Sequence, residues 1–333
     1  MASNVADLSK VDLKADGFKG RKVLMSGGAG FLGSWLCETL LLYGAKVTCV
    51  DDLSTGLTKN INHLRRNKAF RFIQSDVSEL HMPANRFDYV LHLASRASPE
   101  EYQQHPIETL ITNSQGTQIL LEIARKSDAP LLYASSSEVY GEAEIIPTPE
   151  TYAGKVDPLG ARSCYEEGKR FGEALCIAYH KSYGLDTRII RIFNTYGPRI
   201  RADGIYARVI PRFIKQALKG KEITVYGDGS QTRSFCYVTD TITAILKMLQ
   251  AKSMKEKVVN IGNPEQTSIL TLAKKIKSLT NSKSRITFHP RPQGDPQRRC
   301  PDITRAREKL NWQPKVTLEE GLQKTITWFR GRV

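Results

Sequence analysis

No stretch of this 333-residue chain is both apolar enough and long enough to cross a bilayer. The segment Trp35 to Tyr43 is apolar but short and is interrupted by Glu38, whereas a spanning helix needs about 20 such residues. Nor does the start carry the apolar core of a secretion signal, because Met1 to Gly20 contains Asp7, Lys10, Asp12, Lys14 and Asp16. The six cysteines (Cys37, Cys49, Cys164, Cys176, Cys236, Cys300) form no C-x-x-C pair and no zinc or disulfide spacing. Buried free thiols in a reducing, cytoplasmic setting are expected. Six histidines include no H-E-x-x-H and no paired ligand spacing, so no metal is expected. Repeats and low-complexity tracts are absent, which excludes solenoids and confines disorder to the ends.

Acidic residues are also in deficit: 34 Asp and Glu stand against 49 Lys and Arg, a formal charge of +15. Clustered cations neutralise phosphate and release counterions, the electrostatic basis of nucleic-acid binding. Here the cations, such as Lys14, Lys68, Lys126, Lys181, Lys252 and Lys283, are scattered through every segment without a zinc-finger or RNA-recognition signature. A nucleic-acid partner is therefore not expected, only a modest pull on anionic ligands. What the chain does have is 40% hydrophobic residues, enough for a sizeable core or for a domain with a smaller lobe.

Arg21 to Ser26 is a short apolar run, Phe31 to Tyr43 has apolar residues at helical spacing and stops at Gly44, and Ala45 to Val50 is again strand-like. The pattern recurs, with buried strands expected at Phe70 to Gln74, Tyr89 to Leu93, Leu131 to Ala134 and Thr187 to Ile192. Such alternation predicts an α/β fold with a doubly wound parallel sheet. After about Arg191 the texture changes to that of a smaller lobe. Loops are expected around Asn194 to Tyr206 and Gly227 to Arg233, and helices near Pro211 to Lys219 and Leu270 to Thr280. Cys236 to Gln250 is expected to return to the first domain.

Directly after the first strand comes Ser26-Gly27-Gly28-Ala29-Gly30-Phe31-Leu32-Gly33, a G-x-x-G-x-x-G spacing that opens a helix. Gly27, Gly30 and Gly33 let the backbone turn tightly, approach a pyrophosphate and pack the helix on the sheet, while amides of the first turn, at Phe31 and Leu32, face the phosphate. Asp51 follows at the end of strand two, about 20 residues on, as a dinucleotide fingerprint requires. Its carboxylate accepts hydrogen bonds from both ribose hydroxyls and repels a 2′-phosphate, which favours NAD over NADP. Asp76 and Val77 stand where an adenine contact is expected, although an ordinary acidic loop fits Asp76 equally well. Leu93 and Ser95, at the end of strand four, complete the cofactor side.

Tyr165 and Lys169 stand four apart in Ser163-Cys164-Tyr165-Glu166-Glu167-Gly168-Lys169-Arg170, so both project from one helix face. An ammonium beside a phenol favours phenolate and makes a base for a hydroxyl proton. Ser135-Ser136-Ser137 lie upstream at a strand end, where a hydroxyl can hold the same substrate oxygen. The glycine loop, the serine run and Tyr-x-x-x-Lys, in this order, resemble the extended short-chain dehydrogenase/reductase family, and the resemblance spans about Arg21 to Arg330. Within that family, Ser136-Ser137-Glu138-Val139-Tyr140-Gly141, the stretch from Arg162 to Arg170, Arg191 to Arg199, and Gly229-Ser230-Gln231-Thr232-Arg233 are similar to UDP-glucuronate decarboxylases.

The resemblance implies oxidation of the sugar C4 hydroxyl by NAD, with Tyr165 as base, Lys169 as its partner and Ser137 holding the oxygen. The β-keto acid then loses carbon dioxide near Arg233, Glu138 returns a proton to C5, and C4 is reduced to give UDP-xylose. Glu138 discriminates, because 4-epimerases of the family usually carry a small or apolar residue there; a UDP-glucuronate 4-epimerase or a related epimerase or dehydratase is the alternative. Ser136, Tyr102 (in a loop after strand four), Asn194 and Arg199 match positions facing the nucleotide sugar. Arg291 and Arg299 compete for a phosphate, and Arg233 is also suited to the diphosphate. Asn113 matches an asparagine supporting the tyrosine helix.

By the same resemblance, residues 1–19 are a tail, 20–190 with about 234–260 bind NAD in a Rossmann-like domain, and 191–233 with about 261–333 form a discontinuous α/β lobe for the UDP-sugar. A homodimer through helices at Gln115 to Ser127 and Tyr165 to Tyr183 is implied. The chain departs from the decarboxylase pattern in Ala94-Ser95-Arg96-Ala97-Ser98-Pro99-Glu100-Glu101-Tyr102, where prolines are common at 96 and 100. Arg96 adds a cation close to the cofactor.

Overall fold

Strands that are covered by helices on both faces have no solvent side to keep polar, so they read as unbroken apolar runs. The computed structural model, which describes residues 13, 17–82, 86–203, 208–252, 254–255, 257–291 and 295–332, contains such strands at β1 (Lys22–Ser26), β2 (Lys46–Val50), β3 (Phe70–Ile73), β4 (Tyr89–His92), β5 (Leu131–Ser136) and β6 (Thr187–Ile192). Further strands follow at β7 (Thr195–Tyr196), β8 (Ile223–Tyr226), β9 (Thr232–Ser234), β10 (Cys236–Tyr237), β11 (Val258–Ile261), β12 (Gln266–Ser268), β13 (Ile286–His289) and β14 (Arg298–Arg299).

The large sheet runs β11-β6-β5-β4-β1-β2-β3, and every pairing in it is parallel. Successive side chains alternate between its faces. Val23, Met25, Leu91 and Leu132 join a cluster with Trp35 and Leu40 of the Phe31–Leu42 helix and Ile242 and Ile245 of the Val238–Gln250 helix. Leu24, Val90, Leu131 and Tyr133 point the other way, to Leu120 and Leu121 of the Gln115–Ser127 helix and Cys176 of the Ser163–Tyr183 helix. Each such fully buried side chain contributes roughly 1.5–3 kcal/mol. All six cysteines are buried and free.

The chain winds outward from β1 to β3 and then crosses to β4 on the other side of β1. That reversal opens a crevice beyond the carboxyl ends of β1 and β4, the place where such sheets bind ligands. Around it lie three small pairings: β7 with β10, β8 with β13, and β9 between β12 and β14.

Three expectations change. Tyr102 sits in a six-residue helix, Pro99–Gln104, and not in a loop; Pro99 at the first turn and the acidic Glu100 and Glu101 favour helix there. The segments expected as loops contain β7 and the start of β9, whose partners are distant in sequence and leave no local signal. Within those segments residues 204–207 lie outside the described residues, as do 1–12 and 14–16 of the expected tail. Among the described residues no helix is long and apolar enough to cross a membrane, and no group of three or more His, Cys, Asp or Glu is placed to hold a metal.

Candidate active site

A cavity of about 750 Å³ fills the crevice, within the range of about 300–1,000 Å³ usual for ligand sites. At one end stands the glycine turn. Gly27 has a φ of +73°, and a Cβ there would come within 2.6 Å of the Ala94 amide nitrogen. At Gly33 a Cβ would lie 2.1 Å from the Gly27 carbonyl oxygen. Only hydrogen fits at either place, and the Phe31–Leu42 helix thereby starts inside the cavity with no side chain capping its first turn.

Asp51, 6% exposed, accepts from the amides of Ala29 and Leu53, each at 2.9 Å. Burial pushes its carboxyl up and those amides pull it back. Asp76 caps the following turn by accepting from the Ser78 amide at 2.8 Å and its hydroxyl at 2.7 Å. Ser95 Oγ accepts from Asn113 Nδ2 at 3.0 Å. Gly30, Phe31, Leu32, Val77 and Leu93 also line the cavity. Uncapped amides, a glycine turn that only hydrogen fits and a buried ribose-side carboxylate form a donor and acceptor set that fits a dinucleotide.

At the other end Tyr165 and Lys169 project from the Ser163–Tyr183 helix, 5% and 3% exposed. Lys169 Nζ donates to the Ala134 carbonyl at 2.9 Å and lies 5.8 Å from the centre of the Tyr165 ring. Burial pushes the Lys169 ammonium down to about 7. The Tyr165 phenol is raised by burial, while the Ser136 hydroxyl and then Arg208, Arg162 and Arg299 pull it down. In this state the phenol is not lowered overall, contrary to the sequence expectation, because loss of water outweighs the neighbouring cations.

β5 ends at Ser136 and the chain turns into a 3₁₀ helix at Ser137–Tyr140, with Ser136 Oγ accepting from the Glu138 amide at 3.2 Å. That turn separates the two hydroxyls. Of the two, Ser136 is the hydroxyl that pulls the Tyr165 phenol down. Ser137 Oγ accepts from Arg299 Nη1 at 3.2 Å. The Glu138 carboxylate lies between two guanidiniums, with Arg299 Nη1 at 2.8 Å and Arg162 on the other oxygen. Arg162 also reaches Glu166 at 3.0 Å. Burial pushes Arg299 down to about 10.

Arg233 lines the cavity and pairs with Asp295 at 2.6 Å. Asn194 contributes a buried Nδ2 with no partner among the described residues. Tyr102, 1% exposed, lies parallel to Tyr165 with ring centres 5.0 Å apart. Arg199, with a φ of +74°, lines the cavity but pairs with Glu38 and stacks 4.8 Å over Trp35. Arg291 does not line the cavity; it is turned to Gln297 and Asp295, beside residues 292–294, which lie outside the described residues. Sequence reasoning passed over Arg162, Arg208 and Arg212 as cavity residues. Arg162 stood three positions before Tyr165, one helical turn away, which was a usable signal; the others lie in no motif.

The sequence profile of the NAD dependent epimerase/dehydratase family matches residues 23–262. The UDP-glucuronic acid decarboxylase 1 of Danio rerio is 47% identical over 310 residues, 93% of this chain and 72% of that protein. UDP-glucuronic acid decarboxylase 5 of Arabidopsis thaliana is 42% identical over 313 residues, 94% of this chain and 90% of that one. Among solved structures, the UDP-glucuronic acid 4-epimerase of Bacillus cereus in complex with UDP-glucuronic acid and NAD superposes with a TM-score of 0.82 at 31% identity, covering 93% of this chain and 99% of that one. With that match along most of its length, the chain belongs to the NAD dependent epimerase/dehydratase family.

Proposed function

We propose that this protein converts UDP-glucuronate to UDP-xylose and carbon dioxide, with NAD as resident cofactor. The observation that carries the reading is Glu138, set one residue past the serine run and held between Arg162 and Arg299 on the Tyr165 side of the cavity. Its relatives named UDP-glucuronic acid decarboxylase, at 40–47% identity, support the same choice.

NAD would be held by the glycine turn and Asp51 and, when bound, would supply the hydride acceptor and donor for C4 of the sugar. Tyr165 takes the proton of the C4 hydroxyl, and Lys169, one turn along the helix, stabilises the phenolate while it is charged. Ser136 holds the C4 oxygen in the role expected of Ser137, whose hydroxyl is tied to Arg299. Oxidation at C4 makes the sugar a β-keto acid, so the C5–C6 bond breaks with its electrons flowing into the C4 carbonyl. The enolate oxygen is stabilised by the phenol and hydroxyl around it and by nearby cations. Arg233 receives the carboxylate or the diphosphate, and Glu138 serves the proton that returns to C5.

A homodimer completes the proposal. Ile107, Leu110 and Ile111 of the Pro106–Asn113 helix and Phe171 and Tyr183 of the Ser163–Tyr183 helix are 39–68% exposed although large and apolar, and a two-fold partner would cover them. The six free thiols suit a reducing compartment such as the cytoplasm.

The test is to incubate the protein with UDP-glucuronate and NAD and to identify the products by mass and proton NMR. A UDP-pentose formed with release of carbon dioxide is expected. UDP-galacturonate at unchanged mass would make the protein a 4-epimerase, and Glu138 a structural residue.

A further inference from the structure

The loop after β4 carries Arg96, whose side chain turns inward to a buried carboxylate. Arg96 Nη1 forms an ion pair with Glu101 Oε1, with the two side chains 14% and 1% exposed. Glu101 Oε2 is buried with no hydrogen-bond partner among the described residues, and His105 Nε2 stands 3.9 Å from Oε1. A buried pair of this kind is worth little against an apolar replacement of the same shape, but loss of one partner strands the other charge.

Glu101 belongs to the Pro99–Gln104 helix, which at six residues is too short to hold itself together. Its position depends on side-chain ties. Besides the Arg96 pair, Arg208 Nη2 donates across the cavity to the Ala97 carbonyl at 2.8 Å, and Cys164 Sγ donates to the Tyr102 carbonyl at 3.4 Å. The residue after Glu101 is Tyr102, whose ring lies within 3° of parallel to that of Tyr165. One turn of helix therefore joins the buried ion pair to the face of the reactive phenol.

We propose that Arg96 and Glu101 form a charge latch, a pair of positioning residues that hold Tyr102 flat against Tyr165 and so aim the phenol at the sugar hydroxyl. The latch acts through the helix and Tyr102 and does not itself contact the reacting atoms. It rests on the reading of Tyr165 as the base, so one of its readouts is independent of activity.

The test uses Glu101→Gln, Arg96→Met, the charge-preserving Arg96→Lys, and the double swap Arg96→Glu/Glu101→Arg. Both neutral single variants are expected to lower kcat by about 10- to 100-fold through misplacement of the base, with KM for UDP-glucuronate and Kd for NAD held within about threefold. Hydrogen exchange of amides 100–104 should quicken in both, and Arg96→Lys and the swap should recover protection and turnover. If Glu101→Gln turns over as the parent while Arg96→Met weakens NAD or sugar binding, Arg96 is a ligand contact and the latch is overturned. Unchanged exchange over 100–104 in both neutral variants overturns it too. A parent protein inactive on UDP-glucuronate would refute the proposed function, and the exchange data would still decide the latch. Should a neutral variant fail to fold, Arg96→Lys and the swap decide the matter, because a latch predicts that both stay protected.

Discussion

At the glycine-loop end of the cavity the ligand-facing groups are mostly backbone, set by where a Cβ cannot fit: Gly27 against Ala94, Gly33 against Gly27. At the Tyr165 end they are long cationic side chains from distant segments, several of them held by a carboxylate: Arg162 and Arg299 by Glu138, Arg233 by Asp295. The first end is sterically constrained and chemically generic, which suits a cofactor that stays. The second holds its charges in pairs that an anionic substrate can compete for, which suits a ligand that must be recognised, transformed and released. On the proposed reading, specificity belongs to the ion-pair network and cofactor use to the turn.

The largest effect expected from breaking this division is at the chemical end. Tyr165→Phe should lower turnover by about 10²–10⁴-fold while NAD binding, measured by calorimetry, stays near the parent value. Loss of NAD binding in parallel would mean that the two ends are not separable.

Gly33→Val tests the other end. With a Cβ driven to 2.1 Å from a backbone oxygen, the turn must open, and NAD affinity should fall by roughly 100-fold, about 2.7 kcal/mol. UDP binding should change little. Equal losses for both ligands would contradict the separation.

A smaller effect concerns stability and its pH dependence. Burial holds Lys169 at about 7, against an ordinary value of about 10.4. Between those values the unfolded chain binds more protons than the native one, so this group's contribution to stability rises with pH from about 7 to about 10 and is lost as pH falls through that window. Lys169→Met removes the penalty together with the base's partner. The variant should be inactive yet more stable at pH 7, by roughly 1–2 kcal/mol after the Ala134 carbonyl loses its donor, with a flatter melting-temperature slope between pH 7 and 9. A lower melting temperature would show that Lys169 is charged and paired in the native state.

These contrasts also explain what was legible in the sequence. Six of the seven strands of the sheet could be read because burial writes an apolar run into them, whereas β11, the four-residue strand that extends the sheet beyond β6, was not expected; the glycine turn was readable because steric exclusion leaves glycine as the only solution. Tyr165 and Lys169 were readable from a spacing of one helical turn. The tie of Ser137 Oγ to Arg299 was not, since the orientation of that hydroxyl depends on where β5 stops and the 3₁₀ turn begins. Nor were the pairings of Glu138 with Arg162 and Arg299 and of Arg233 with Asp295, whose partners stand 24, 161 and 62 positions away; tertiary pairing of charges leaves no periodic trace. Tyr102 was expected in a loop because a six-residue helix is too short for periodicity to register.

The most direct test of the account is the reaction with UDP-glucuronate and NAD run in D₂O and followed by proton NMR. If Glu138 serves a solvent-exchanged proton to C5 after carbon dioxide leaves, the product is UDP-xylose carrying one deuteron at C5. UDP-galacturonate at unchanged mass, or a UDP-pentose with no deuterium at C5, would contradict it.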